Sequence, residues 1–99
     1  MILGRVVGTV WATRKDDQLV GMKLQIVREV DLDQRMKDRF VVAVDSVGAG
    51  VGEIVLVAQG SSARQTKLTH NKPVDAVITA IVDKLDVALA FAAEAEPAR

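Results

Sequence analysis

Ninety-nine residues carry 13 basic and 13 acidic side chains, a formal net charge of zero with histidine neutral, so no global field draws the chain to nucleic acid or an anionic membrane. Cysteine is absent, which excludes a disulfide framework and thiolate chemistry and suits a reducing cytosol. Hydrophobic residues make up 49% of the chain but aromatics only 3%, so a single small domain rich in β-branched valine is expected.

Met1-Ile2-Leu3 runs directly into Gly4 and Arg5, so no secretory signal is expected. No apolar run approaches the roughly 20 residues that span a bilayer. Residues 2–13 read as a first strand, with Gly4 and Gly8 marking bends or close backbone approaches. The polar run from Lys15 to Gly21 reads as a hairpin loop. In the second strand, 22–30, period-two patterning sets Met22, Leu24 and Ile26 on an apolar face. Lys23, Gln25 and Glu29 then fall on a wet one. A polar connection from Asp31 to Asp38 leads to strands at 40–47, 53–59 and 76–82. Between the last two, Gly60 to Thr66 suits one helical turn, and Lys67 to Lys72 a polar loop before Pro73. Five short strands at this spacing predict an all-β fold, with an OB-like barrel favoured over a sandwich. From Asp83 onward Leu85, Ala88, Leu89 and Ala92 follow helical spacing, with Asp83 as the expected cap. The expected division is a barrel domain over 1–87 and an alanine-rich extension over 88–99, helical or frayed.

Three strands are apolar on both faces: Phe40 to Val44, Ile54 to Ala58 and Val77 to Val82. A barrel has one interior, so the outer apolar residues need a second cover. The C-terminal helix supplies part of it in this reading, and another subunit the rest.

Candidate chemistry is sparse. Val44 to Val55 reads VDSVGAGVGEIV, which suggests a phosphate cradle. A dinucleotide fingerprint, however, needs a third small residue where Glu53 stands, and a helix where Ile54 to Ala58 reads as strand. The glycines therefore read as a tight connection between strands. His70 is the only histidine, and with no cysteine a zinc shell would rest on carboxylates; a surface position in a polar loop is expected. Ser61 and Ser62 have no histidine at triad spacing, and their expected role is to cap the following turn. Asp45 interrupts an apolar strand and suits either acceptance of hydrogen bonds from the glycine-loop amides or pairing with an arginine. Arg64 suits a clamp on a neighbouring chain. The competing function is an OB-like nucleic-acid-binding module, which the neutral charge and few aromatics disfavour.

The combined pattern resembles the EutN/CcmL family of bacterial microcompartment vertex proteins. It comprises Gly4-x-Val6-x-Gly8-x-Val10, Lys23-Leu24, Val42-Ala43-Val44-Asp45-x-Val47-Gly48-Ala49-Gly50-x-Gly52-Glu53-x-Val55-Leu56, Gly60-Ser61-Ser62-Ala63-Arg64-Gln65, Pro73-Val74-Asp75-Ala76 and Ile81-Val82-Asp83. The resemblance spans residues 1–87 and implies a five-stranded OB-like barrel assembled as a homopentamer. Such rings occupy the corners of a polyhedral shell tiled by hexamers, in the cytoplasm, around enzymes whose intermediates the shell retains. It implies no catalytic residue, cofactor or metal, and neither a nucleic-acid nor a membrane partner. The implied partners are other copies of itself, hexameric shell proteins and the enclosed enzymes. It also implies that Asp45, Gly48, Ala49, Gly50, Gly52, Glu53, Gly60, Ser61, Ser62, Ala63, Arg64 and Gln65 lie at subunit contacts or near the five-fold axis, with Glu53 and Arg64 suited to pair across subunits.

Overall fold

The computed structural model describes residues 1–88. Five strands close into one barrel: β1 (Ile2–Val10), β2 (Leu24–Val30), β3 (Met36–Asp45), β4 (Ile54–Gln59) and β5 (Ala76–Val82). Around the barrel the order is β1-β2-β3-β5-β4. Every neighbouring pair is antiparallel except β3 with β5. This is the all-β barrel expected from the strand spacing.

Local chemistry explains most of the boundaries. Gly4 lets β1 lie close on β2: a Cβ there would strike the Val27 side chain and come within 2.9 Å of the Arg28 carbonyl oxygen. A register shift between Val6 and Gly8 bends β1 into the barrel wall. β1 ends at Val10 instead of position 13, and Trp11 beyond it is 89% exposed. A short 3-10 helix, Asp17–Leu19, lies in the β1–β2 loop, with the Asp16 carboxylate accepting from Gln18 N at 2.9 Å. The polar connection after β2 is shorter than expected. Asp31 Oδ1 accepts from Asp33 N and Arg35 N at 2.9 and 3.0 Å, which turns the chain early. β3 therefore begins at Met36, and Lys37 and Arg39 stand 3.6 and 3.7 Å from the Glu29 carboxylate across the hairpin.

Two apolar clusters hold the fold. Inside the barrel, Val6, Val27, Val55, Val57 and Ile78 pack with Ala43, Ala49 and Ala76. A fully buried valine contributes roughly 1.5–3 kcal/mol relative to an exposed one. The second cluster lies on the outer face, where Val44, Ala58 and Val77 are covered by Met22, Ala63, Leu19, Leu24 and Val74. A 3-10 helix over Gly60–Arg64 supplies Ala63. The cover expected from a C-terminal helix thus comes, in part, from this turn and the adjoining loops. Residues 83–88 contain no helical turn, so no helix starts at Asp83. Leu89 and Ala92, assigned to that helix, lie outside the described residues.

The faces of β2 are the reverse of the expected ones. Gln25 and Val27 are buried inside the barrel, while Leu24 and Ile26 are only half-buried. Glu29 is also mostly covered, with its side chain 13% exposed. Leu24 and Ile26 pair with Val44 and Val42 on the outer wall. That wall stays partly open, because Val42 is 49% and Phe40 57% exposed.

Candidate functional site

The glycine-rich segment is a loop from the end of β3 to the start of β4, and it is held from several sides. Asp45 ends β3 because its carboxylate replaces the ladder: Oδ1 accepts from Val47 N at 3.0 Å and Gly48 N at 2.9 Å. Of the two roles open to Asp45, this is the acceptance of loop amides; among the described residues it forms no ion pair with an arginine. Ser46 Oγ donates to Ile78 O at 2.6 Å and ties the same corner to β5. At the other end Gly52 N donates to Val6 O at 2.8 Å, and Val6 N donates to Glu53 O at 3.0 Å. These two bonds carry the pairing with β1 beyond the start of β4. Gly52 sits at φ +95°, a left-handed conformation that a side chain disfavours.

Glu53 turns inward on its own loop. Its Oε1 accepts from Gly50 N at 2.6 Å, and its N donates to Gly50 O at 3.1 Å. The carboxylate thus occupies the amide that an anion would need, which is the physical case against a phosphate cradle. Arg5 braces the outside, donating from Nη1 to Gly52 O at 2.6 Å and from Nη2 to Gln34 Oε1 at 3.3 Å.

Beneath the loop lies the residue that the sequence reading missed. Gln25 is 0% exposed, and its amide meets three partners. Nε2 donates to Ala49 O at 2.8 Å and to Asp45 Oδ2 at 3.4 Å, while Oε1 accepts from Thr9 Oγ1 at 2.8 Å. The amide joins β1, β2, β3 and the loop in one buried polar cluster, where each unmet partner would be costly. The available signal was a lone glutamine between Leu24, Ile26 and Val27, matched across the ladder by Ala43.

The second predicted segment is the turn Gly60–Arg64 with Gln65 as its C-terminal cap. Ser61 and Ser62 do not cap it. They lie within the turn, whose N-cap is Gln59 with no side-chain bond. Gly60 N donates to Asp75 O at 2.7 Å, and Arg64 Nη1 to Val74 O at 3.1 Å, docking the turn on the approach to β5. Thr69 Oγ1 donates to Ala63 O at 2.5 Å from below. His70 is exposed in the loop that follows.

The two segments are separate. Gly48 to Glu53 and Gly60 to Gln65 stand at opposite ends of the six-residue β4, about 20 Å apart at ordinary strand rise. Glu53 and Arg64 are each engaged within the chain, with Gly50 and Val74 respectively. Ala49 and Ala63 are buried, 1% and 0% exposed, and serve the two cores. Gly48, Gly52, Glu53, Gly60, Ser61, Ser62, Arg64 and Gln65 are exposed in the single chain. Among the described residues no group of three or more His, Cys, Asp or Glu side chains gathers as a metal site. Nor is any helix there long and apolar enough to cross a membrane.

Comparison with known proteins places this geometry in a family. The sequence model described as ethanolamine utilisation protein EutN/carboxysome matches residues 1–83. The chain is 46% identical to the bacterial microcompartment shell vertex protein PduN of Salmonella typhimurium, over 86% of this chain and 98% of that one. It is 43% identical to the carboxysome shell vertex protein CcmL of Synechocystis sp., over 89% of this chain and 88% of its relative. Among solved structures, the pentameric microcompartment shell protein GrpN from Rhodospirillum rubrum superposes with a TM-score of 0.80. Identity to it is 44%, covering 88% of this chain and 99% of that one.

Proposed function

The chain belongs to the EutN/CcmL family, and from that we propose that five copies form a closed ring capping a vertex of a bacterial microcompartment shell in the cytoplasm. A flat hexagonal layer cannot close into a polyhedron without pentagonal units. A ring in turn needs one heterologous interface repeated by rotation, in which two different patches of each subunit meet. The observation that carries the reading is match to the shell vertex relatives over nearly the whole chain, joined to an outer wall where Phe40 and Val42 stay exposed.

The loop at Gly48–Glu53 and the turn at Gly60–Gln65 supply two such unlike patches, one at each end of β4. In this reading Gly48, Gly52, Glu53, Gly60, Ser61, Ser62, Arg64 and Gln65 meet neighbouring subunits or line the axis. Asp45, Ala49, Gly50 and Ala63 hold them in position from within the chain. Hexameric shell proteins are the partners at the rim, and the enclosed enzymes lie on the inner side. The role is structural and not catalytic; the Gly50 amide is closed off by Glu53, and the loop offers no free cradle for a substrate. Projection images of the purified protein test the reading. Rings with five-fold symmetry are expected, and rings of any other order would refute it.

A further inference from the structure

We propose that residues 83–88 of one copy add a strand to the open edge of β3 on the next copy, so that tail-to-edge pairing links the subunits. The proposal rests on the ring described above and names one contact within it.

The acceptor is an unfinished strand. β3 pairs with β2 from Met36 to Val44, but with β5 only at Val44 and Asp45. Among the described residues, the edge from Met36 to Ala43 that faces away from β2 has no strand partner. Its hydrogen-bonding groups can be assigned. Asp45 N donates to Lys23 O at 2.9 Å, and the register runs unbroken from Val44 back to Phe40. Bonded and non-bonded pairs alternate along an antiparallel ladder. Ala43 and Val41 therefore face β2, as Asp45 does, while Val42 and Phe40 turn their N–H and C=O groups to the open edge. Met36, Phe40 and Val42 are 43%, 57% and 49% exposed along the same stretch. An open edge bordered by exposed apolar side chains is a template for a further strand.

The donor is an unpaired segment of the same chain. Residues 83–88 have no helix and, among the described residues, no ladder partner, yet exposure alternates from 84 to 88: Leu85 and Val87 are half-buried, and Lys84, Asp86 and Ala88 are exposed. That period of two is the signature of a strand. Lys37 and Arg39 along the edge share the one Glu29 carboxylate, at 3.6 and 3.7 Å, while Asp83 and Asp86 outnumber Lys84 on the tail.

Topology makes the pairing intermolecular. β5 runs parallel to β3 with Val77 beside Val44, so the tail leaves beyond the C-terminal end of β3. At about 3.3 Å per residue, Asp83 lies roughly 20 Å past Val77, whereas Val42 lies roughly 7 Å behind Val44. A tail pointing away cannot return to its own edge within six residues. Each copy thus gives a tail and receives another, the head-to-tail arrangement that closes rings.

Two measurements on the full-length assembly test the pairing. Hydrogen exchange should find the Phe40 and Val42 amides slowed by about 100-fold or more relative to unprotected chain. Carbodiimide coupling on mixed heavy- and light-isotope chains should join Lys37 of one copy to Asp83 or Asp86 of another. The Lys37–Glu29 pair, 3.6 Å apart within one chain, is the internal control. Free exchange at Phe40 and Val42 overturns the pairing. Protected amides with Lys37 coupled between copies to some other carboxylate, or only to Glu29 within its own chain, overturn the tail as the occupant. Native mass on the same sample separates the two readings. Five chains with a freely exchanging edge sink the pairing and spare the vertex role, and a single chain sinks both.

Discussion

At the scale of single residues, the glycine-rich loop is held by one buried amide, and it turns at two left-handed glycines, Gly48 and Gly52. Gln25 satisfies Thr9, Asp45 and Ala49 together, so Gln25→Leu leaves buried groups without partners. The expected loss is about 1–3 kcal/mol of unfolding free energy, read by urea denaturation. Lys23→Leu, on the exposed neighbour, should change stability by less than about 0.5 kcal/mol. Equal losses from both would mean that the amide is no keystone. Gly52, at φ +95°, sets a second expectation. Gly52→Val places a β-branched residue in the left-handed region at a cost of roughly 1–2 kcal/mol. It should also release the Gly52 bonds to Val6 and Arg5, seen as faster exchange at the Gly52 and Val6 amides. Unchanged exchange there would show that the conformation carries no strain.

Among the elements, the 3-10 helix Gly60–Arg64 depends on one small side chain. Ala63 is fully buried against Val44, Ala58 and Val77. Ala63→Leu has no room to fill, so it should cost about 1–3 kcal/mol by overpacking and lift the turn off the barrel. If Ser61, Ser62 and Arg64 meet a neighbouring subunit, assembly should then weaken more than the thermal midpoint suggests. A variant that unfolds earlier yet assembles at wild-type concentration would separate the turn from the contact. The elements also show where the sequence was legible. β4 and β5 were readable to within a residue, because they are apolar runs bounded by turn residues. The face assignment of β2 was not. Leu24 and Ile26 look like core residues, but they belong to the outer wall, whose apolar character copies that of an interior. Gln25 looks solvated, yet the barrel buries it where Thr9 and Asp45 converge. The start of β3 was hidden for a related reason: Lys37 and Asp38 read as part of a polar loop, yet they lie within a strand anchored on β2 by the Met36–Val30 and Phe40–Arg28 pairs on either side.

At the scale of the whole molecule, the barrel and its family were legible because the spaced glycines and the GSSARQ segment occur in one order over most of the chain. What no periodicity could give is the number of subunits. The sequence showed that an apolar outer wall needs cover, and the barrel shows how much of it the chain covers alone: Met22, Ala63 and Val74 close one region, and Phe40 and Val42 remain open. A closed ring of five copies has a defined mass, which native mass spectrometry of the wild-type protein at micromolar concentration reads directly. A single dominant species with the mass of five chains is expected; a stable monomer, or a dimer that persists as concentration rises, would rule the ring out.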